Sequence, residues 1–351
     1  MKREICIGNK YIGEDWPCFI IAEMSGNHNM DFNRAAEMIR EAKQAGADAV
    51  KLQTYTADTI TLNSSKPYFY TDEDSLWSHM TLYELYQKAY TPWDWQPKLK
   101  EIADREGILL FSSPFDLSAV DFLEKMDVPA YKIASYEIND IPLIKKAAQT
   151  GKPLIISTGI AYMEDIDLAL RTCQEAGNDQ VALLKCTSEY PAVYEEMNLR
   201  MISGLKDVFG CPVGLSDHSM GDETDIAAVA LGADVIEKHF TLKRSDGGVD
   251  AEFSMEITEL ADMIQRIRHT EAALGKSAYG ITDKQAEGRR VSRSLFAAAD
   301  IKKGEVFSEQ NIRSVRPGNG LHTRYYEQIL GKKAKTDISY AEPLKMEYIN
   351  W

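Results

Sequence analysis

Short apolar runs of this 351-residue chain end in residues able to do chemistry: Glu23, Lys51, Gln53, Ser113, Lys132, Ser135, Ser157, Lys185, Ser188, Tyr190, Ser216, His218, Glu237 and His239. Lys51, Lys132 and Lys185 each lie within an otherwise apolar run, where an unpaired ammonium costs several kcal/mol. Three such lysines need an anion or a set of carboxylates. The hydroxyls beside them suit a phosphate with a neighbouring carboxylate. Lysine supplies point charge, and serine and threonine donate to oxygens that have several lone pairs. Any one of these serines alone is as readily a turn or helix cap. His218 and His239 close consecutive runs, and two neutral imidazoles with Glu23 nearby could hold one divalent metal with positions open to substrate and water. Their spacing alone equally allows hydrogen-bonded pocket histidines. His79, His269 and His322 lack such a setting and read as surface or loop residues.

The runs themselves are CFIIAE (18–23), ADAVKLQT (47–54), ILLFSS (108–113), AYKIAS (130–135), PLIISTG (153–159), VALLKCT (181–187), CPVGLSD (211–217) and ADVIEKHF (233–240). Helical periodicity follows most of them, as in NRAAEMIREAKQAG, SAVDFLEKM, IPLIKKAAQ, MEDIDLALRTCQEAG, ETDIAAVALG and EITELADMIQRIRHTEAALG. Strands alternating with helices imply a parallel sheet. Eight such units fit a closed (β/α)8 barrel (the TIM barrel), whose active site forms at the C-terminal strand ends. Neither a GxGxxG nor a GxxxxGK[ST] motif is present, so no nucleotide loop is indicated.

The barrel pattern stops at Gly275. The reading is a catalytic barrel over 1–275, a polar linker over 276–292 and a small β-rich module over 293–351, with turns at IKKGE and PGNG. A module of this size has a small core of its own and is expected to dock on another surface. The connection over 55–92 is long for its place and rich in aromatics and hydroxyls. A long loop at that face is usually functional, though one that merely covers a barrel edge is also possible.

Formal charge is −14, which makes nucleic acid a poor partner. Residues 285–351 nevertheless carry 12 Lys/Arg against 8 Asp/Glu, a locally basic tail on an acidic body. No apolar run reaches the ~20 residues of a membrane span. The N-terminal stretch MKREICIGNKYIGEDW lacks the apolar core of a signal peptide, so the cytoplasm is expected. The five cysteines form no CxxC pair, which favours free thiols over disulfides or a zinc-thiolate site.

Taken in order, FIIAEMSGNH, GADAVKLQTY, FSSPFD, PAYKIASYEIND, PLIISTG, LLKCTSEYP, VGLSDHS and GADVIEKHFTL resemble the sialic acid synthase family. RRVSRSLFAAADIKKGEVFSEQNIRSVRPGNGL resembles that family's C-terminal antifreeze-like (SAF) domain. The match runs from about residue 15 to the end. The resemblance implies condensation of phosphoenolpyruvate with the open aldehyde form of an acetamido sugar and water. Phosphate leaves by C–O cleavage, with the help of a divalent metal, Mn2+ or Mg2+. It also implies a domain-swapped homodimer in which the SAF domain of one subunit caps the barrel of the other.

By the same resemblance, His218 and His239 are the metal ligands. Lys132, Ser135, Ser157 and Ser216 hold the phosphate and carboxylate of phosphoenolpyruvate. Lys51, Gln53, Ser113, Ser188 and Tyr190 complete the pocket, and Glu23 and Glu237 handle protons or orient water. Asp250 contacts a sugar hydroxyl, and Arg316 reaches from the lid into the partner's site. Ser113 stands where some members have threonine, and Ser188 where some have asparagine. The segments LWSHMTLYELYQKAYTPWDWQPKL, KIASYEINDIPLIK and RSDGGVDAEFS look closer to the branch that makes pseudaminic acid than to the one that makes N-acetylneuraminate. That branch implies a 2,4-diacetamido-2,4,6-trideoxy hexose as acceptor, which has lost the 6-hydroxyl and gained a second acetamido group, and an aromatic-rich stretch over 68–95 suits such a less polar sugar. The rival readings are a legionaminic acid or N-acetylneuraminate synthase, a metal-dependent pyruvate aldolase and a non-catalytic sugar-binding protein.

Overall fold

In the computed structural model, which describes residues 1–71 and 77–351, the eight apolar runs are eight strands of one parallel sheet. They are β1 (Phe19–Glu23), β2 (Ala49–Thr54), β3 (Leu109–Pro114), β4 (Tyr131–Ile133), β5 (Leu154–Ser157), β6 (Val181–Cys186), β7 (Val213–Asp217) and β8 (Val235–Thr241). Each pairs with the next, and β8 pairs with both β7 and β1, so the sheet closes. Closure buries both faces, which is why the strands read as continuous apolar runs rather than alternating ones. Ile20, Ile21, Val50, Leu110, Ile155 and Leu183 are fully buried. Each such side chain contributes about 1.5–3 kcal/mol relative to an exposed one.

A helix returns the chain after every strand: α1 (Phe32–Ala45), α2 (Gln96–Glu106), α3 (Leu117–Lys125), α4 (Ile141–Gln149), α5 (Met163–Glu175), α6 (Met201–Phe209), α7 (Glu223–Ala230) and α8 (Ile257–Leu274). α1 shows how local signals set the boundaries. Asp31 caps its start by accepting from the backbone N–H of Asn33 and Arg34, and Gly46 ends it in the left-handed region at φ 97°. Between these caps Ala35, Met38, Ile39 and Ala42 form the buried stripe. The helical periodicity of the sequence does not reveal α2 and α6, both of which are present. An N-terminal hairpin, Ile5–Ile7 with Lys10–Ile12, is a further element that the pattern reading lacked. It adds Ile5, Ile7 and Ile12 to the barrel's core.

The chain divides into two compact units, Met1–Gly275 and Lys276–Trp351. In the second, residues 276–293 are exposed throughout and include a short helix, Asp283–Gly288, capped by Thr282. Beyond it, Ser294–Ala297 pairs antiparallel with Ile312–Val315, and Lys333–Ala334 with Ile349–Asn350. Leu295, Ile301, Phe307, Ile312, Ile338 and Ile349 lie in its own small core. No helix among the described residues is long and apolar enough to cross a membrane.

Candidate active site

At the C-terminal ends of the strands the barrel opens into a cavity of about 350 Å³. Strand alternation decides which side chains reach it. On β2, Lys51 and Gln53 face inward, as do Glu23 on β1 and both Glu237 and His239 on β8. Parallel register then sets neighbours side by side: Glu23 opposite Lys51, Glu237 opposite Ser216, and His239 opposite Glu23.

Two lysines and two glutamates meet at the floor. Lys51 Nζ lies 2.9 Å from Glu23 Oε2 and 3.8 Å from Glu237 Oε2, while Lys132 Nζ lies 3.7 Å from Glu237 Oε1. Hydroxyls surround them. Lys132 donates to Ser157 Oγ at 2.7 Å, Lys51 to Ser113 Oγ at 3.3 Å, and Ser216 to Glu237 Oε1 at 2.9 Å. Gln53 donates to Glu23 Oε1 at 2.8 Å. Ser188 donates to Ser135 Oγ at 2.7 Å, and the two hydroxyls crowd against Gly159, where an added Cβ would meet them at 2.1 and 2.6 Å. A glycine is needed there to let both hydroxyls approach.

Burial separates the two glutamates electrostatically. It pushes the Glu23 carboxyl up to about 7, against the pull of Lys51. Glu237 feels the same burial, but the ammonium groups of Lys132 and Lys51 outweigh it and hold this carboxyl below its ordinary range. Burial lowers Lys132, whereas for Lys51 the carboxylates of Glu23 and Glu237 more than compensate and raise it. Glu23 Oε2 is paired with the Lys51 ammonium, and Glu237 Oε2 accepts no hydrogen bond. The floor therefore holds positive charge and hydroxyl donors with acceptor capacity to spare.

His218 and His239 stand on the rim with ring centroids 5.3 Å apart. His218 Nδ1 lies 2.9 Å from the Thr187 carbonyl oxygen, which can only accept, so Nδ1 carries the proton of the neutral ring and Nε2 then keeps a lone pair; burial disfavours the charged ring, but Cys186 beside it outweighs burial and raises this imidazole. Burial pushes His239 well below the usual imidazole range, and its Nδ1 is buried without a hydrogen-bond partner. A neutral imidazole with an orphaned nitrogen beside another with a free lone pair suits a divalent cation. Among the described residues no group of three or more His, Cys, Asp or Glu converges on one point. The chain would therefore supply two imidazoles and leave the other positions to substrate and water, as an open metal site requires. Asp250 Oδ2, 3.8 Å from His239 Nδ1, is bound by the Ser25 hydroxyl.

The structure thus brings Glu23, Lys51, Gln53, Lys132, Ser135, Ser157, Tyr190, Ser216, His218, Glu237, His239 and Asp250 to one cavity. Ser113 and Ser188 join it through their hydrogen bonds. Arg316 belongs to the second unit, where it is exposed. Lys185 corrects the expectation of three inward lysines. Cys186 takes the inward place on β6, and the Lys185 ammonium donates to the Cys186 carbonyl and to Thr187 Oγ1. Asn27 and His28 are buried in supporting roles, bonded to Phe240 O and Thr91 Oγ1.

Glu137 is the functional candidate that the strand-end reading missed. It lies in the short turn Ser135–Glu137, lines the cavity, and is pushed by burial up to about 7. Its Oε2 has no hydrogen-bond partner. The upper wall is aromatic, with Tyr55, Trp77, Tyr86 and Phe115 facing the floor of charges. The long 55–92 connection contributes to this wall through the helix Leu82–Ala89 and Trp77; its residues 72–76 lie outside the described ones. A larger groove of about 820 Å³ opens at the N-terminal strand ends, but its buried acid Asp234 is already paired with Lys206.

A (β/α)8 barrel whose C-terminal mouth joins lysines, glutamates and hydroxyls to a pair of histidines is the scaffold of an enzyme for anionic substrates. The NeuB family profile matches residues 38–279 and the SAF domain profile residues 292–349. The chain belongs to the NeuB family. It is 47% identical to a pseudaminic acid synthase of Campylobacter jejuni over 97% of this chain and 98% of that one. A pseudaminic acid synthase of Helicobacter pylori is 44% identical, over 95% and 98%. The solved spore coat polysaccharide biosynthesis protein spsE of Bacillus subtilis superposes with a TM-score of 0.67 at 36% identity, covering 99% of each chain.

Proposed function

We propose that this protein is a pseudaminic acid synthase. It joins phosphoenolpyruvate to 2,4-diacetamido-2,4,6-trideoxy-β-L-altropyranose in its open aldehyde form and releases phosphate. The observation that carries this reading is the floor of the cavity: Lys51 and Lys132 are ringed by Ser113, Ser157 and Ser216 and balanced by Glu23 and Glu237. Such a floor offers ammonium and hydroxyl donors to a phosphate and a carboxylate held close together. The aromatic wall of Tyr55, Trp77, Tyr86 and Phe115 offers apolar surface to acetamido methyls and a deoxy carbon.

Atom by atom, C3 of phosphoenolpyruvate bonds to the aldehyde carbon, whose oxygen takes a proton. C2 becomes an oxocarbenium centre and adds water, which gives up a proton. The C2–O bond to phosphate then breaks as the new C2 hydroxyl loses its proton, leaving a ketone and inorganic phosphate. Glu23, with its carboxyl near 7, can exchange protons at neutral pH. Glu237, held ionised, stabilises positive charge developing at C2. Lys132 and Ser157 hold the phosphate as it departs, and Asp250 and Tyr190 orient the sugar above the floor.

His218 and His239 would hold Mn2+ or Mg2+, which when bound polarises the sugar carbonyl. The working unit in this reading is a cytoplasmic domain-swapped homodimer, with the SAF domain of each subunit capping its partner's barrel and supplying Arg316. The test of the substrate is a panel of acetamido sugars incubated with phosphoenolpyruvate and Mn2+, with products read by mass spectrometry. Turnover confined to the 2,4-diacetamido-2,4,6-trideoxy sugar of altro configuration supports the reading. Preference for N-acetylmannosamine, or for the acceptor of legionaminic acid, transfers the protein to the corresponding synthase.

A further inference from the structure

The outer faces of β7 and β8 carry a charge cluster that the proposed chemistry does not use. Ser216 and Glu237 are partners in the ladder and face the cavity, so the next pair, Asp217 and Lys238, faces the helix layer. That layer is ordinarily aliphatic, because helices cover the outside of such a barrel. Here Lys238 Nζ donates to Asp217 Oδ2 at 2.5 Å and to the Ser219 carbonyl at 2.9 Å, and lies 3.4 Å from Asp225 Oδ2. Asp217 in turn accepts from the Ser219 N–H at 2.8 Å, the Ser219 hydroxyl at 3.0 Å and Thr224 Oγ1 at 2.7 Å. Lys238 and Asp217 are 1% exposed and Asp225 is 0% exposed. Buried charges of this kind cost stability relative to apolar packing, so their presence in this layer points to a task other than holding the barrel together.

The position of the cluster identifies the task. The β7–β8 ladder ends at the pair Asp217 and Lys238; beyond it the backbone of His239 is laddered to Glu23 on β1, and no ladder pair joins it to His218. His218 and His239 lie one residue past that pair on their two strands. His218 is the link between Asp217 and Ser219, both tied to Lys238, and His239 directly follows Lys238. We propose that Lys238 and Asp217 are positioning residues that lock His218 and His239 relative to one another. They take over where the ladder between β7 and β8 stops and so preorganise the two imidazoles for a divalent cation. Ser219 and Thr224 complete the clamp, and neither needs to touch substrate. This inference rests on the reading of His218 and His239 as metal ligands.

The test is Mn2+ binding to the full-length protein without substrate, followed by the electron paramagnetic resonance signal of the free ion. Asp217→Asn keeps the shape and loses the charge. It is expected to weaken Mn2+ binding about 10- to 100-fold while the far-ultraviolet circular dichroism matches the parent. Ser219→Ala, which strands no buried charge, is expected to weaken binding severalfold, and it decides the matter if Asp217→Asn does not fold. Parent affinity in a folded Asp217→Asn, or in Ser219→Ala where that variant decides, overturns the clamp. His218→Ala separates the two claims. If it abolishes Mn2+ binding while the clamp variants bind as the parent does, only the clamp fails. If it binds as the parent does, the metal assignment fails and the clamp with it.

Discussion

Glu23 and Lys51 face each other across the β1–β2 ladder and form a buried ion pair 2.9 Å long at the floor of the cavity. Removing one partner of such a pair leaves a charge buried and uncompensated. Lys51→Met is therefore expected to lower stability by about 3–5 kcal/mol and to abolish turnover. Restoring the balance with Lys51→Met/Glu23→Gln should recover at least ~1 kcal/mol of the stability without recovering activity. Urea unfolding of the two single variants and the double variant measures the coupling. Strictly additive losses contradict a direct pairing.

Glu137 gives a pH signature. Its carboxyl is raised from 4.5 to about 7 by burial, so between those values the folded protein holds a proton that the unfolded chain has lost. Its contribution to stability is full below about 4.5, falls as pH rises towards 7, and is flat above that. Glu137→Gln cannot ionise and should remove that slope. The difference between variant and parent is expected to grow by up to about 3 kcal/mol from pH 4.5 to 7.5. Parallel stability curves for the two proteins would contradict a buried, raised carboxyl.

Gly159→Ala tests the serine cradle. The new methyl would press on the Ser135 and Ser188 hydroxyls. The KM for phosphoenolpyruvate is expected to rise at least tenfold (about 1.4 kcal/mol of binding), with a smaller change in the KM for the sugar. Equal effects on both substrates would place the cradle elsewhere in the reaction.

Arg316 tests the proposed lid across the dimer. Arg316→Ala and His218→Ala are each expected to be inactive alone. Mixed under conditions that exchange subunits, they should partly restore activity, because one site of each mixed dimer is then complete. Continued inactivity despite demonstrated exchange contradicts a lid supplied in trans.

Much of the site was legible because strand ends are short, apolar and punctuated by the chemistry they carry. Glu23, Lys51, Lys132, Ser216, Glu237 and His239 each sit on a barrel strand in the phase that faces the cavity. Lys185 was not legible, because alternation on β6 runs through Cys186 and turns the lysine out of the cavity. Glu137 hid in a turn after β4, the shortest barrel strand, where neither period applies. The missed helices were the least typical ones. α2 is rich in charge around a narrow buried stripe of Leu99, Ile102 and Ala103, and α6 carries Gly204 inside a nine-residue span. The roles of Asp217 and Lys238 depend on a contact between outward faces of two strands, which register and closure create and local pattern does not encode.

The central claim is a condensation that breaks the C–O bond of phosphoenolpyruvate at this cavity. It is tested most directly by running the reaction in 18O-enriched water with phosphoenolpyruvate, the 2,4-diacetamido-2,4,6-trideoxy sugar and Mn2+, then weighing the phosphate released. The account predicts one phosphate per nine-carbon keto acid formed, with no 18O in that phosphate, because the bridging oxygen leaves with phosphorus and water attacks carbon. Phosphate carrying 18O, or no phosphate released in the presence of both substrates and metal, would contradict it.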